Sequence, residues 1–306
     1  MASISSGSFF HYTKNAKSLL GILHNGFRFS YCFEAFDEFV AHTNNDRYIP
    51  QFYLIGEKPQ HFGISFPMVC FCDIPLMRAG EHMKRYGKYC IGLNKNVTLK
   101  QYSLILNPVF YVNSSWIDDT YSKLAYQKRS VSNLAEKEKE LLKEVETNTG
   151  DGVVKTTGKA KKLLQTLQIY YELGFSLEQL IRLTKPCIGE NGENYYDERE
   201  WRVFWDYKQK KENVDIHYGL TREEFEKNRT AWNKTIKSDY LTFEKCLPSD
   251  VISHIIVPKE KNIPQIISAI KSETQILGKE ISLFDFDIKD LLISKVTSFE
   301  QIEDDF

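Results

Sequence analysis

"NYYDEREWRVFW", residues 194–205, sets Asp197, Glu198, Arg199, Glu200 and Arg202 among five aromatic residues. The stretch alternates as a strand does, yet strands are normally poor in acidic residues. On a strand, side chains two apart share a face. Arg199, Trp201, Val203 and Trp205 then form one face, an apolar stripe with an arginine at its start, which should pack on a core. Glu198, Glu200, Arg202 and Phe204 form the other. Two readings of that second face stay open. It is a solvated face on which Glu200 and Arg202 pair, or it is a carboxylate set on a rigid strand, oriented by the arginine and lining a cleft.

Working outward, "FFHYT" (9–13) alternates and is rich in β-formers, so it predicts a first strand. Ala16, Leu19, Leu20, Leu23 and Phe27 then recur at helical spacing, with Thr13 or Asn15 as cap and Asn25-Gly26 as stop. Residues 28–66 show little periodicity and read as loops and short helices. "MVCFCDI" (68–74), "YCIGLN" (89–94) and "NPVFYV" (107–112) predict strands, and a helix started by Pro75 should end at Gly87. From 114 to 185 the texture turns helical and charged, and "SLEQLIRL" predicts a fresh helix capped by Ser176. Strand patterns resume at 200–207, 240–245, 251–258 and 280–288, with a helix over "IPQIISAIKSE". Uneven runs of strands and helices argue an α+β fold. The expected organisation is an α+β core in two halves, 1–113 and 186–306, with a helical insertion at 114–185.

A chain of 306 residues with 20 Phe and 17 Tyr suits a well-filled core. Net charge of −1 gives no global attraction to nucleic acid or anionic lipid. "MASISSGSFF" lacks the basic start and apolar run of a secretory signal, and no apolar run reaches the length of a membrane span. Six cysteines without a C-x-x-C pair read as thiols in a reducing compartment, so a cytoplasmic location is expected. "GDGVVKTTGKAKK" tempts toward a phosphate loop, but five residues separate Gly152 from Gly158 and Ala160 stands where a hydroxyl should hold magnesium. G-x-G-x-x-G and H-E-x-x-H are absent, and no metal site is predicted.

In order, "FFHYTKNAKSLLGILHNGFRFSYC", "FPMVCFCDIPL", "HMKRYGKYCIGLNK", "NPVFYV", "LTKPCIG" and "YYDEREWRV" resemble the AbiGi family of bacterial abortive phage-resistance proteins, from about residue 9 to 207. The resemblance implies the antitoxin-like half of a two-gene defence pair whose partner is a nucleotidyltransferase-like toxin. A remoter similarity, carried by the order of elements, is to ADP-ribosyltransferases, and implies a split-sheet core that uses NAD as substrate. Within it, His11 would bind the ribose, with Tyr12 and Thr13 beside it on the first strand. Tyr86 or Tyr89 would stack on nicotinamide. Glu200 would drive cleavage of the nicotinamide–ribose bond, Glu198 would act on the acceptor, and Arg202 would hold Glu200 or approach the pyrophosphate. The acceptor stays open: protein, nucleic acid, small molecule or water. The rival implication is a non-catalytic antitoxin or sensor that binds a cognate toxin or a phage component through the 114–185 helices. A nuclease using Asp73, Glu198 and Glu200 around a metal is a third.

Overall fold

The computed structural model describes residues 5–35, 63–102, 105–113, 130–131, 133–141, 158–188, 192–205, 217–236, 239–243, 245–282 and 286–305. The polar loop "TNTGDGVVKTT" (147–157) and residues 36–62 therefore lie outside the described residues. The architecture is α+β. The described residues fall into two compact units: one made of 5–35, 63–109 and 192–305, the other lying within 110–188.

The first unit is built on a nine-stranded sheet. Its strands are β1 (Ser8–Thr13), β2 (Ser30–Ala35), β3 (Gly63–Cys72), β4 (Tyr89–Asn94), β5 (Leu106–Pro108), β6 (Glu200–Phe204), β7 (His217–Leu220), β8 (Ile252–Val257) and β9 (Val296–Ser298). The order runs β9-β8-β4-β1-β3-β6-β5, with β2 and β7 also paired to β3. All pairs are antiparallel except β8 with β9. β1 and β6 thus flank the long central strand β3.

The helices of this unit are α1 (Ala16–Asn25), α2 (Gly80–Tyr86) and α3 (Lys95–Tyr102), then α5 (Arg222–Thr235), α6 (Pro248–Val251), α7 (Ile263–Ser272), α8 (Phe286–Ile293) and α9 (Phe299–Asp305). Asn15 caps α1 by accepting from the Ser18 N–H at 2.9 Å. Gly87 ends α2 at φ 111°, where a Cβ would lie 2.2 Å from the Thr13 carbonyl oxygen, so only glycine fits. One sheet face carries Phe9, Val69, Phe71, Ile91, Leu93 and Val203 and buries them with α1 (Leu19, Leu23) and α7 (Ile266, Ile270). The opposite face carries Phe10, Tyr12, Cys72, Cys90 and Ile256, packed with Ala79, Met83 of α2 and Phe299 of α9.

The second unit holds α4 (Gly158–Leu183) and the parallel strand pair Phe110–Val112 with Thr184–Pro186. The fresh helix expected at Ser176 is not there. α4 runs straight through it, and the Ser176 hydroxyl donates instead to the Glu172 carbonyl, 2.9 Å away and one turn back. The strand expected over 280–288 is also corrected: pairing stops at Glu280 and α8 begins at Phe286. The apolar residues there keep either period over so short a run.

Candidate functional site

Strand pairing fixes which side chains meet. Glu200 lies opposite Cys72, and Arg202 opposite Cys70, so both project from the face of Phe10 and Tyr12. Trp201 and Val203 turn to the other face, as the alternation predicts. Arg202 is fully buried, and its Nε and Nη2 donate to the two oxygens of Glu200 at 2.8 and 3.1 Å. Nη2 also donates to Glu34 Oε1 at 2.9 Å. Glu34 sits opposite Ile64, while Arg202 sits opposite Cys70. Six residues of extended strand, roughly 20 Å, separate those two registers. Their side chains nevertheless meet across β3. Burial works against the Arg202 charge, but Glu200 and Glu34 hold its pKa well above the ordinary value. The Glu200–Arg202 pair is therefore neither solvated nor open: it is a buried Glu–Arg–Glu triad.

Glu198 is not on the strand. Residues Tyr195–Glu198 form a 3-10 turn, Asn194 donates to Asp197 at 2.8 Å, and Arg199 adopts a left-handed backbone at φ 43°. The period-two relation between Glu198 and Glu200 fails because that residue turns the chain. The Arg199 carbonyl accepts from the Asp73 N–H at 3.0 Å, which fixes the entry into β6. Glu198 is buried all the same, and accepts from Arg85 Nη1 at 2.5 Å and from the Tyr86 hydroxyl at 3.1 Å. Burial opposes the Arg85 charge, yet Glu198 raises its pKa above the ordinary value. Cys72 links the two carboxylates: burial pushes its thiol up first, and Glu198 and Glu200 add to the shift.

Tyr12 lies on this same face. Its ring meets His82 edge-on at 4.9 Å, and His82 lies 4.4 Å from the Tyr86 ring. Burial, then Cys90 and Cys72, push the Tyr12 hydroxyl far above its usual range. Tyr12, Tyr86, Glu198, Glu200 and Arg202 are thus gathered on one side of the sheet. His11, Thr13 and Tyr89 are not. His11 lies on the opposite face among Phe27 and Phe71, and its Nδ1 contacts the Cys70 carbonyl at 2.8 Å. Thr13 donates to the Asn15 carbonyl at 3.2 Å, and Tyr89 packs against the larger core. Alternation along β1 forces the split between His11 and Tyr12.

Asp73 is held apart from Glu198 and Glu200 by its own partners, Lys95, Ser5 and the Ser6 N–H. Among the described residues, no group of three or more His, Cys, Asp and Glu side chains could hold a metal ion. Sequence reasoning missed Arg85, His82 and Glu34. Arg85 sits in the last turn of α2, where a basic residue is already favoured by the helix dipole, and Glu34 lies in a stretch without periodicity.

The family model described as "Putative abortive phage resistance protein AbiGi, antitoxin" matches residues 31–258, well over half of the chain. The chain belongs to the AbiGi family. The abortive phage resistance protein AbiGi of Lactococcus lactis subsp. cremoris is 26% identical over 251 residues, covering 78% of this chain and 88% of that protein. No solved structure matches the chain. The AbiGi match spans β2 through β8 and so includes both carboxylate clamps, the Glu200–Arg202–Glu34 triad and the Glu198–Arg85 pair. Among the described residues, no helix is long and apolar enough to cross a membrane.

Proposed function

We propose that this AbiGi-family chain serves abortive phage resistance by binding, and thereby restraining, a toxin protein encoded beside it. The observation that carries the reading is the surface of α4. Leu167, Leu177 and Ile181 are buried, and mark one seam of that helix. Leu164 and Tyr171 border the seam on one side, Ile169, Leu173 and Leu180 on the other, and these five side chains are 43–60% exposed. At 100° per residue the apolar arc is roughly 220° wide. A helix that only packs on its own domain needs an arc of about half that. The surplus suits a protein partner, and the family description as an antitoxin points the same way. The buried triad supports the reading too, since Arg202 occupies both oxygens of Glu200.

Co-expression with the neighbouring gene product tests it. Ile169→Glu with Leu173→Glu should abolish both co-purification of the partner and rescue of growth, with the melting temperature held. Glu200→Gln should leave rescue intact if enough protein folds. Full rescue by the α4 double variant would sink the proposal.

A second reading, NAD-dependent ADP-ribosyl transfer, is favoured by the gathering of Tyr12, Tyr86, Glu198 and Glu200 on one face, with β1 and β6 flanking β3. The carboxylate would stabilise the positive charge that develops on ribose as nicotinamide leaves. Arg202 would orient Glu200, and the ADP-ribose would pass to water, protein or nucleic acid. His11, Thr13 and Tyr89 would support the strands from behind rather than touch NAD. Release of nicotinamide from NAD by the purified protein, lost in both Glu198→Gln and Glu200→Gln, is the expected result. No nicotinamide release in the presence of the partner protein or nucleic acid counts against it.

A further inference from the structure

A cleft of about 960 Å³ lies between α3 and α6. Among the described residues its wall carries three ammonium groups, Lys100, Lys245 and Lys295, against a single carboxylate, Asp250. That is a local excess of positive charge on a chain whose net charge is −1. Lys100 and Lys245 are exposed, and neither has a carboxylate partner among the described residues. Lys295 is differently placed. Its ammonium donates to the carbonyls of Ser249 and Ile252, the latter at 2.6 Å, which anchors it at the end of α6. An ammonium has three donors, so one remains for a ligand. His254 senses the field: burial first, and Lys295 second, hold its ring below the ordinary pKa.

We propose that this cleft binds a phosphate-bearing small molecule, a nucleotide or polyphosphate, through Lys100, Lys245 and Lys295. The lysines act as point charges, which suits a phosphate chain. Among the described residues no arginine lines the wall, so they offer no planar fork to select a carboxylate. No aromatic ring among the described residues lines it either, so a base finds none of them to stack on. Recognition therefore rests on the phosphates, and the identity of any attached base is immaterial. The volume falls within the range of small-molecule pockets.

Calorimetric titration of the full chain with ATP, GTP and inorganic triphosphate, at constant ionic strength, tests this. The three should bind with similar affinity and raise the melting temperature. Lys100→Glu and Lys245→Glu should each weaken binding by more than about tenfold, since each removes one charge-assisted contact and sets a carboxylate against the phosphates. Lys261→Glu, an exposed change outside the cleft, should leave affinity unchanged. Both cleft lysines are exposed, so folding should survive their replacement. Absence of binding by all three probes at millimolar concentration would overturn the proposal, as would binding that ignores both cleft variants. Tighter, lysine-dependent binding of a single-stranded RNA would overturn it as well, by making the cleft part of a nucleic-acid surface.

Discussion

Glu198 and Glu200 are two residues apart, carry the same side chain and are both buried, yet they are held in different ways. Glu200 sits on a strand in the fork of an arginine that is itself fully buried, with a second glutamate on the same guanidinium. Glu198 ends a turn and is held by Arg85 and Tyr86, whose side chains reach the surface; Arg85 is 34% exposed. The difference teaches what a carboxylate pair in a sequence can conceal. One is an anchor of the sheet, and the other is a rim group whose partners solvent can replace. Burial of the partner, rather than of the carboxylate, separates them.

The largest effect should follow from removing the anchor's centre. Arg202→Met takes away the guanidinium that the buried Glu200 and Glu34 share, which should cost about 3–5 kcal/mol of stability. Chemical denaturation reads it directly. Replacing the triad together by apolar residues of matched volume should recover most of that loss. A mild effect of Arg202→Met would mean that water reaches the triad.

Glu200→Gln comes next. The amide keeps one acceptor for Arg202 but turns a donor toward its second N–H, a mismatch of about 1–2 kcal/mol. Glu34 still balances the guanidinium charge. Glu198→Gln should cost less, below about 1 kcal/mol, because the pair with Arg85 is partly screened by solvent. Denaturation midpoints of the two variants, measured side by side, decide the ranking. If Glu198→Gln proves the more damaging, the assignment of anchor and rim is reversed.

The same contrast explains what the sequence conveyed and what it hid. β1, β4, β6 and β8 were legible because each is buried on both faces or alternates cleanly, and α1 because Asn15 and Gly26 mark its ends. The apolar face of Trp201 and Val203 was legible for the same reason. Glu198 was misplaced on the strand because nothing local announces that Arg199, neither Gly nor Asn, will adopt φ 43°. There the Arg199 carbonyl meets the N–H of Asp73, a partner remote in the sequence. Ser176 shows the opposite error. A capping pattern was present, but the hydroxyl bonded back along α4. The triad was invisible in principle, since Glu34 and Arg202 lie 168 residues apart and no local pattern pairs them.

The smallest expected effect concerns the far side of the sheet. His11 Nδ1 donates to the Cys70 carbonyl, because a carbonyl can only accept, so the neutral ring carries its proton on Nδ1. Burial lowers its pKa below the ordinary 6.5, and the bond to Cys70 only partly offsets that. A lowered folded pKa means that the unfolded chain takes up the proton first as pH falls. The stability contributed by neutral His11 is complete above pH 6.5, and is lost as pH drops from there toward the folded value. His11→Asn keeps an N–H donor for the Cys70 carbonyl and removes the titration. The variant should therefore be less stable than the parent at pH 7.5, through lost packing against Phe27 and Phe71, yet lose less stability between pH 7 and 5. His254, also lowered, will leave a residual slope in both proteins. Parallel curves of stability against pH would show that His11 titrates alike in the folded and the unfolded chain, as a ring open to solvent does. It could then no longer count as a wholly structural residue behind the carboxylate face.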